Sequence, residues 1–169
     1  VLRHQFAIAL QVGAGDRGLR FGLTHLDAGA RRHLNRVWHR LDPWPDVVAG
    51  LMRLQARGFH LACIINKVEA FTLPLLRNLD LYKYFELVLS GDSLPKQKPD
   101  PLPLLHACKH FGITPEHGVL VGDSSNDVEA ARAAGMPVIC VPYGYNHGHD
   151  IRASHPDAVV DSLEAVEPF

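Results

Sequence analysis

The chain has 169 residues, and its 17 lysines and arginines against 18 aspartates and glutamates leave a formal net charge of -1 with the histidines neutral. That length suits a single domain, and the near-neutral balance excludes the broad basic surface through which most nucleic-acid binders work. No run reaches the ~20 apolar residues of a membrane-spanning helix, and the opening VLRHQFAIALQVGAG is too short and too broken an apolar stretch for a signal peptide, so a cytoplasmic location is the expectation.

Residues 1 to about 27 hold Gly13, Gly15, Gly18 and Gly22 with no sustained periodicity, and they read as a loose segment. Leu34, Val37, Trp38 and Leu41 then recur at helical spacing, and Pro43 stops that helix. A second helix is expected from Pro45, since proline suits a first helical position, with Val48, Leu51 and Leu54 facing inward and Gly58 ending it. From there strands and helices alternate. FHLACII (59–65) is a short apolar run and predicts a buried strand, followed by a helix over 69–79. Strand 85–90, a helix from about Pro101 to Phe111, strand 118–122 and a short alanine-rich helix over 127–135 come next. Strands 137–141 and 157–161 and a last helical turn from Ser162 complete the series. Such alternation implies right-handed crossovers and a parallel sheet covered on both faces.

Cys63, Cys108 and Cys140 stand singly in apolar segments and read as buried, inert thiols. Eleven histidines invite a metal site, but His106 and His110 fit one face of a helix, and the His147/His149 pair has no third partner nearby.

In a parallel sheet of this kind ligands bind at the carboxyl ends of the strands, so the residues just past each strand carry the chemistry. Asn66-Lys67 comes after the strand at 59–65, and Gly91-Asp92-Ser93 after 85–90, with Lys96 and Lys98 close behind. GDSSND comes at the end of 118–122. Asp123 sits at the strand tip and Asp127 four residues later in the first helical turn, so both carboxylates can face one cavity. Two such carboxylates repel and call for a cation, and an all-oxygen site favours Mg²⁺. The N–H groups of the same helix start suit an anion. In the competing local reading, Asp123 or Ser125 is an N-cap and Asp127 only complements the helix dipole. Lys98, set between Gln97 and Pro99 in QKPDPLPLL, adds a cation of the kind that stabilises a phosphoryl group in transfer, and Lys96 is a solvated competitor.

Residues from Asn66 onward resemble the haloacid dehalogenase (HAD) superfamily of hydrolases, in particular its bacterial phosphoglycolate phosphatases. The resemblance rests on NK, AFTLPLLRNLDLYKYF, LVLSGDSLPKQKPDPLPLLHACKHFGI, VLVGDSSNDVEAARAAGMPVICVPYGYN and DAVVDSL, roughly 100 of the 169 residues. It implies an α/β fold with a Rossmann-like parallel sheet, Mg²⁺ as cofactor, and a small phosphorylated metabolite such as 2-phosphoglycolate as partner, with no nucleic acid and no membrane. Lys98 matches the phosphate-stabilising lysine, Asp123 the metal ligand and Asp127 the supporting acid. The candidate catalytic residues are therefore Lys98, Asn66 and Asp127, the substrate-binding ones Asn66, Lys98 and Ser124, and the metal ligands Asp123 and Asp127. Residues 34–61 are also similar to dehalogenase-type members, which makes Trp44-Pro45-Asp46 a cap-to-core junction and a 2-haloacid dehalogenase an alternative activity.

The family pattern is departed from twice. Its nucleophile is an aspartate on the first strand in a DxDGT-type motif, whereas Asp16, Asp27, Asp42 and Asp46 here show no DxD spacing. A hydroxyl residue precedes the motif asparagine in the family, and here that residue is Ile65. Loss of one such donor costs about 2.7–4 kcal/mol of transition-state stabilisation in comparable sites. The resulting expectation is residues 1–44 as a truncated helical cap remnant or irregular segment, and 45–169 as a hydrolase core lacking its first strand, with an exposed apolar edge where that strand would pair. The chain is then either a piece of a longer enzyme, weakly active or inactive alone, or a non-catalytic relative that binds Mg²⁺ and phosphate.

Overall fold

In the segment Leu61–Ile65 alternate side chains enter two different apolar clusters. Leu61, Cys63 and Ile65 pack with Leu51, Leu54, Leu75 and Leu76, while Ala62 and Ile64 pack with Leu104, Ala107, Val128 and Ala131. A period of two with both sets buried is the signature of a strand in the middle of a layered sheet. The computed structural model, which describes residues 7–10, 45–143, 146 and 148–166, shows that arrangement.

The described elements are β1 (Ala7–Leu10), α1 (Pro45–Ala56), β2 (His60–Ile64), α2 (Glu69–Asn78), β3 (Leu87–Leu89), α3 (Leu102–Phe111), β4 (Val119–Gly122), α4 (Ser125–Ala134), β5 (Val138–Cys140) and β6 (Ala158–Val159). The six strands form one parallel sheet in the order β3-β2-β1-β4-β5-β6. Helices α1 and α2 supply the first apolar cluster and α3 and α4 the second, so the sheet is covered on both faces. Ala130 and Ala131 are fully buried on α4, and their small side chains let that helix lie close to the sheet. Gly135, in a left-handed conformation at φ 72°, ends it.

The structure corrects one expectation. The core does not lack a strand at its centre: Ala7–Leu10 pairs with β2 on one side and β4 on the other, with Leu10 opposite Val121 and Ala9 opposite Ala62. The open apolar edge expected at that place is therefore closed, and the boundary at residue 44 cuts off a segment that belongs to the sheet. A four-residue apolar run in a glycine-rich stretch gives little signal by itself; pairing on both sides makes it a strand. The helix expected over Leu34–Leu41, the remainder of residues 1–44 and Trp44 lie outside the described residues.

Because the strand order runs outward in both directions from β1 and β4, these two strands mark the topological switch point of the sheet, where folds of this kind bind ligands at the carboxyl ends of the strands. Asn66 and Asp123 stand just beyond the ends of the two strands that flank β1.

Candidate active site

Lys98 is the largest fully buried side chain in the core, only 1% exposed. Its Nζ donates to the Ile64 carbonyl at 2.8 Å and to Asp127 Oδ1 at 2.6 Å. The Asn66 side-chain amide donates to the Lys98 carbonyl at 2.7 Å and so holds the backbone that carries it; the following Lys98–Pro99 peptide is cis. Lys96, by contrast, is exposed and pairs with Asp100 at 2.9 Å, as expected of the solvated competitor.

Asp127 is fully buried and both of its oxygens are engaged. Beyond the Lys98 bond, Oδ2 accepts the Asp123 N–H at 3.2 Å, the Ser124 N–H at 3.1 Å and the Ser124 hydroxyl at 2.7 Å. Ser124 is the N-cap of α4, and Asp127 reaching back to it is the reciprocal half of a capping box. The competing reading of the sequence thus names the wrong cap, Asp123 or Ser125 in place of Ser124, but Asp127 does serve the helix start while also holding the lysine. Gly122 makes this possible. A Cβ there would stand 2.5 Å from the Asp127 Cβ and 2.8 Å from its Oδ2.

Asp123 leaves β4 at its tip and is 2% exposed. The structure therefore brings Asn66, Lys98, Asp123, Ser124 and Asp127 to one rim, as the sequence implies. Three N–H groups at the start of α4 are already engaged within the chain. The N–H groups of Asp123 and Ser124 go to Asp127, and that of Ser125 goes to Asn146 Oδ1 at 3.0 Å. Asn146 is a member of the site that sequence reasoning missed; it lies 21 residues from Ser125, at the end of a stretch that carries the family resemblance but was given no site residue there. Ile65 is 5% exposed within an apolar cluster, so its side chain serves the core.

The two nearby thiols stay protonated. Burial pushes Cys63 up to about 12, with the Lys98 charge pulling the other way. Burial, with the charges of Asp127 and Asp123 behind it, pushes Cys140 up to about 12. All three cysteines are buried thiols. His106 and His110 are exposed on α3, and His147 lies outside the described residues. Among the described residues no group of three or more His, Cys, Asp or Glu side chains is gathered as for a metal ion. No helix among them is long and apolar enough to cross a membrane.

A doubly wound parallel sheet with a buried lysine and two aspartates at its switch point defines a Rossmann-like α/β core. The family model for haloacid dehalogenase-like hydrolases matches residues 24–141, and the chain belongs to that family. It is 61% identical over 121 residues to a phosphoglycolate phosphatase of Thiobacillus denitrificans, an alignment covering 72% of this chain and 53% of that protein. To a plasmid-borne phosphoglycolate phosphatase of Cupriavidus necator it is 50% identical over 159 residues, 94% of this chain and 65% of the relative. The chain thus spans about half the length of the first of these curated relatives. Among solved structures it is similar to a predicted phosphoglycolate phosphatase from Haemophilus somnus, with TM-score 0.75 and 34% identity over 80% of this chain and 60% of that one. It is also similar to a HAD phosphatase from Thermococcus onnurineus, with TM-score 0.69 and 26% identity over 82% of this chain and 62% of the other.

Proposed function

We propose that the chain carries the phosphate- and metal-handling part of a phosphate monoester hydrolase, with 2-phosphoglycolate as the candidate substrate. The observation that carries this reading is the buried Lys98, aimed by Asp127 and Ile64 at the rim where Asp123 leaves β4. A cation held that rigidly in a dry setting stabilises the charge of a transferring phosphoryl group more strongly than a solvated lysine would. The phosphoglycolate phosphatases among the relatives support the choice of substrate.

Mg²⁺ takes one or two protein carboxylates and completes its octahedron with water and phosphate oxygens. The donor set fits that demand through Asp123, a buried hard-oxygen ligand at a strand tip. When bound, the ion would supply charge neutralisation for the phosphate. Asp127, with both oxygens engaged, acts through Lys98 and the α4 cap, and we assign it a positioning role in place of direct ligation. Asn66 holds the Lys98 backbone and Ser124 the cap, so each serves the substrate through the geometry it maintains.

Attack on phosphorus by a carboxylate requires an aspartate next to the phosphoryl group. The residues after β1 in sequence are Gln11, Val12 and Gly13, none of which is such a nucleophile. We therefore expect Mg²⁺-dependent binding of phosphate with weak or absent turnover. A cytoplasmic setting suits a chain whose three buried cysteines are thiols.

The deciding experiment combines calorimetry with phosphate release on the full chain, using Mg²⁺ and 2-phosphoglycolate, beside Lys98→Ala and Asp123→Asn. Binding that both variants lose supports the proposal. Rapid turnover would refute the incomplete catalytic set, and a chain that binds neither Mg²⁺ nor phosphate would refute the reading as a whole.

A further inference from the structure

We infer that Asn146 is a positioning residue for the metal and phosphate site, an inference that rests on the function proposed above. Asn146 comes after β5 on the same rim and is 9% exposed. Its side chain makes two bonds of opposite sense: Oδ1 accepts the Ser125 N–H at 3.0 Å, and Nδ2 donates to the His149 carbonyl at 3.1 Å. The His149 N–H in turn donates to the Asn146 carbonyl at 2.8 Å.

The group being held gives these bonds their importance. Ser125 is the first residue of α4, between the N-cap Ser124 and the buried Asp127. The N–H groups of Asp123 and Ser124 are satisfied from inside the helix start by Asp127, but that of Ser125 is satisfied only across the chain, by a residue 21 positions away. Asn146 thus fastens the first turn of α4 to the connection after β5. That turn sets the direction in which Asp123 leaves the strand and the place from which Asp127 grips Lys98. Ile151, buried against the cluster that includes Val128 and Ala131, anchors the far end of the same connection to the same helix. Residues that orient a metal ligand without touching the metal commonly cost about 10–100-fold in affinity or activity when removed.

The alternative is that Asn146 only stabilises its loop, and Asp150 supplies the control. Its carboxylate accepts the Arg152 N–H at 2.9 Å in the same connection, on the exposed surface. The test uses the full chain as wild type, Asn146→Ala and Asp150→Ala. Mg²⁺ and inorganic phosphate are titrated by calorimetry, and amide exchange at Ser125 and the melting temperature are followed in parallel. Asn146→Ala is expected to weaken Mg²⁺ binding about tenfold and to speed exchange at Ser125, while Asp150→Ala leaves Mg²⁺ binding as in wild type. Equal weakening in both variants would overturn the inference, because loop stability alone then explains it. Wild-type affinity in Asn146→Ala would overturn it as well and leave the functional reading standing. A wild-type chain that binds neither ion would defeat both.

Discussion

Lys98 Nζ and Asp127 Oδ1 meet at 2.6 Å with both side chains closed to solvent. Two charges taken out of water gain little net stability from each other, because desolvation offsets the attraction. The remaining capacity of the pair is therefore where the design lies: the ammonium also donates to Ile64, and the second carboxylate oxygen takes three donors from residues 123 and 124. A structural core could fill this volume with apolar side chains at no loss. The pair instead ties the loop after β3 to the first turn of α4, whose Asp127 also accepts the Asp123 N–H.

Removing one member should be costly. Lys98→Met leaves the Asp127 carboxylate buried without its cation, and a loss of about 3–5 kcal/mol is expected. Asp127→Asn should cost a similar amount. The double variant Lys98→Met/Asp127→Asn is expected to lose much less than the sum, since no buried charge remains unpaired. Urea denaturation of the four proteins gives the coupling, and strict additivity would show that the pair contributes nothing as a unit.

Gly122 should tolerate no side chain. A Cβ at 2.5 Å from the Asp127 Cβ cannot be met by the far end of a flexible chain, since the contacted atom is itself next to the backbone. Gly122→Ala is expected to cost about 1–3 kcal/mol through overpacking and to abolish Mg²⁺-dependent phosphate binding by displacing Asp127. Gly118→Ala is the contrast: its nearest neighbour is the flexible end of Met136, at 3.0 Å. That variant should keep binding, and equal loss in both would contradict the role given to Gly122.

Much of this was legible in the sequence because short apolar runs, helix punctuation and rim residues are local signals. The uninterrupted apolar run Leu61–Ile65 announces a buried strand, and GDSSND announces a strand tip joined to a helix start. What escaped depends on contacts distant in sequence. Ala7–Leu10 becomes a strand only between β2 and β4. Asn146 acquires its role only through Ser125. The choice of Ser124 as the cap is set by Asp127, which must also reach Lys98, and spacing alone does not distinguish it from its neighbours.

Alkaline pH should destabilise the fold through Cys63. Its thiol titrates near its ordinary value of 9.0 in the unfolded chain but is pushed up to about 12 by burial in the fold. Between those values the unfolded state has released a proton that the native state keeps, so stability falls as pH rises. The slope is about 1.4 kcal/mol per pH unit for one thiol, and the contribution is fully present below pH 9.0. Cys63→Ala should show a shallower decline than wild type when denaturation is followed across this window. Native Cys63 should also resist iodoacetamide at pH 8.0, below the ordinary thiol value of 9.0, until denaturant is added. Parallel pH profiles for the two proteins would refute the assignment.

The final prediction separates the two aspartates. A ligand that binds only the folded chain stabilises it by about 2.7 kcal/mol at one hundred times its dissociation constant. Mg²⁺ with inorganic phosphate should therefore raise the melting temperature of the wild type, and EDTA should reverse the shift. Asp123→Asn replaces a buried carboxylate at the strand tip with an amide of the same shape and leaves its backbone N–H on Asp127, so the metal-free protein should melt closer to wild type than Asp127→Asn does but show no Mg²⁺-dependent shift. Asp127→Asn breaks the bond to Lys98, so its metal-free form should melt well below wild type. A full Mg²⁺ shift in Asp123→Asn would remove Asp123 from the metal site. If Asp127→Asn instead melted like wild type and lost only the shift, Asp127 would be a direct ligand, and the positioning role assigned to it would fall.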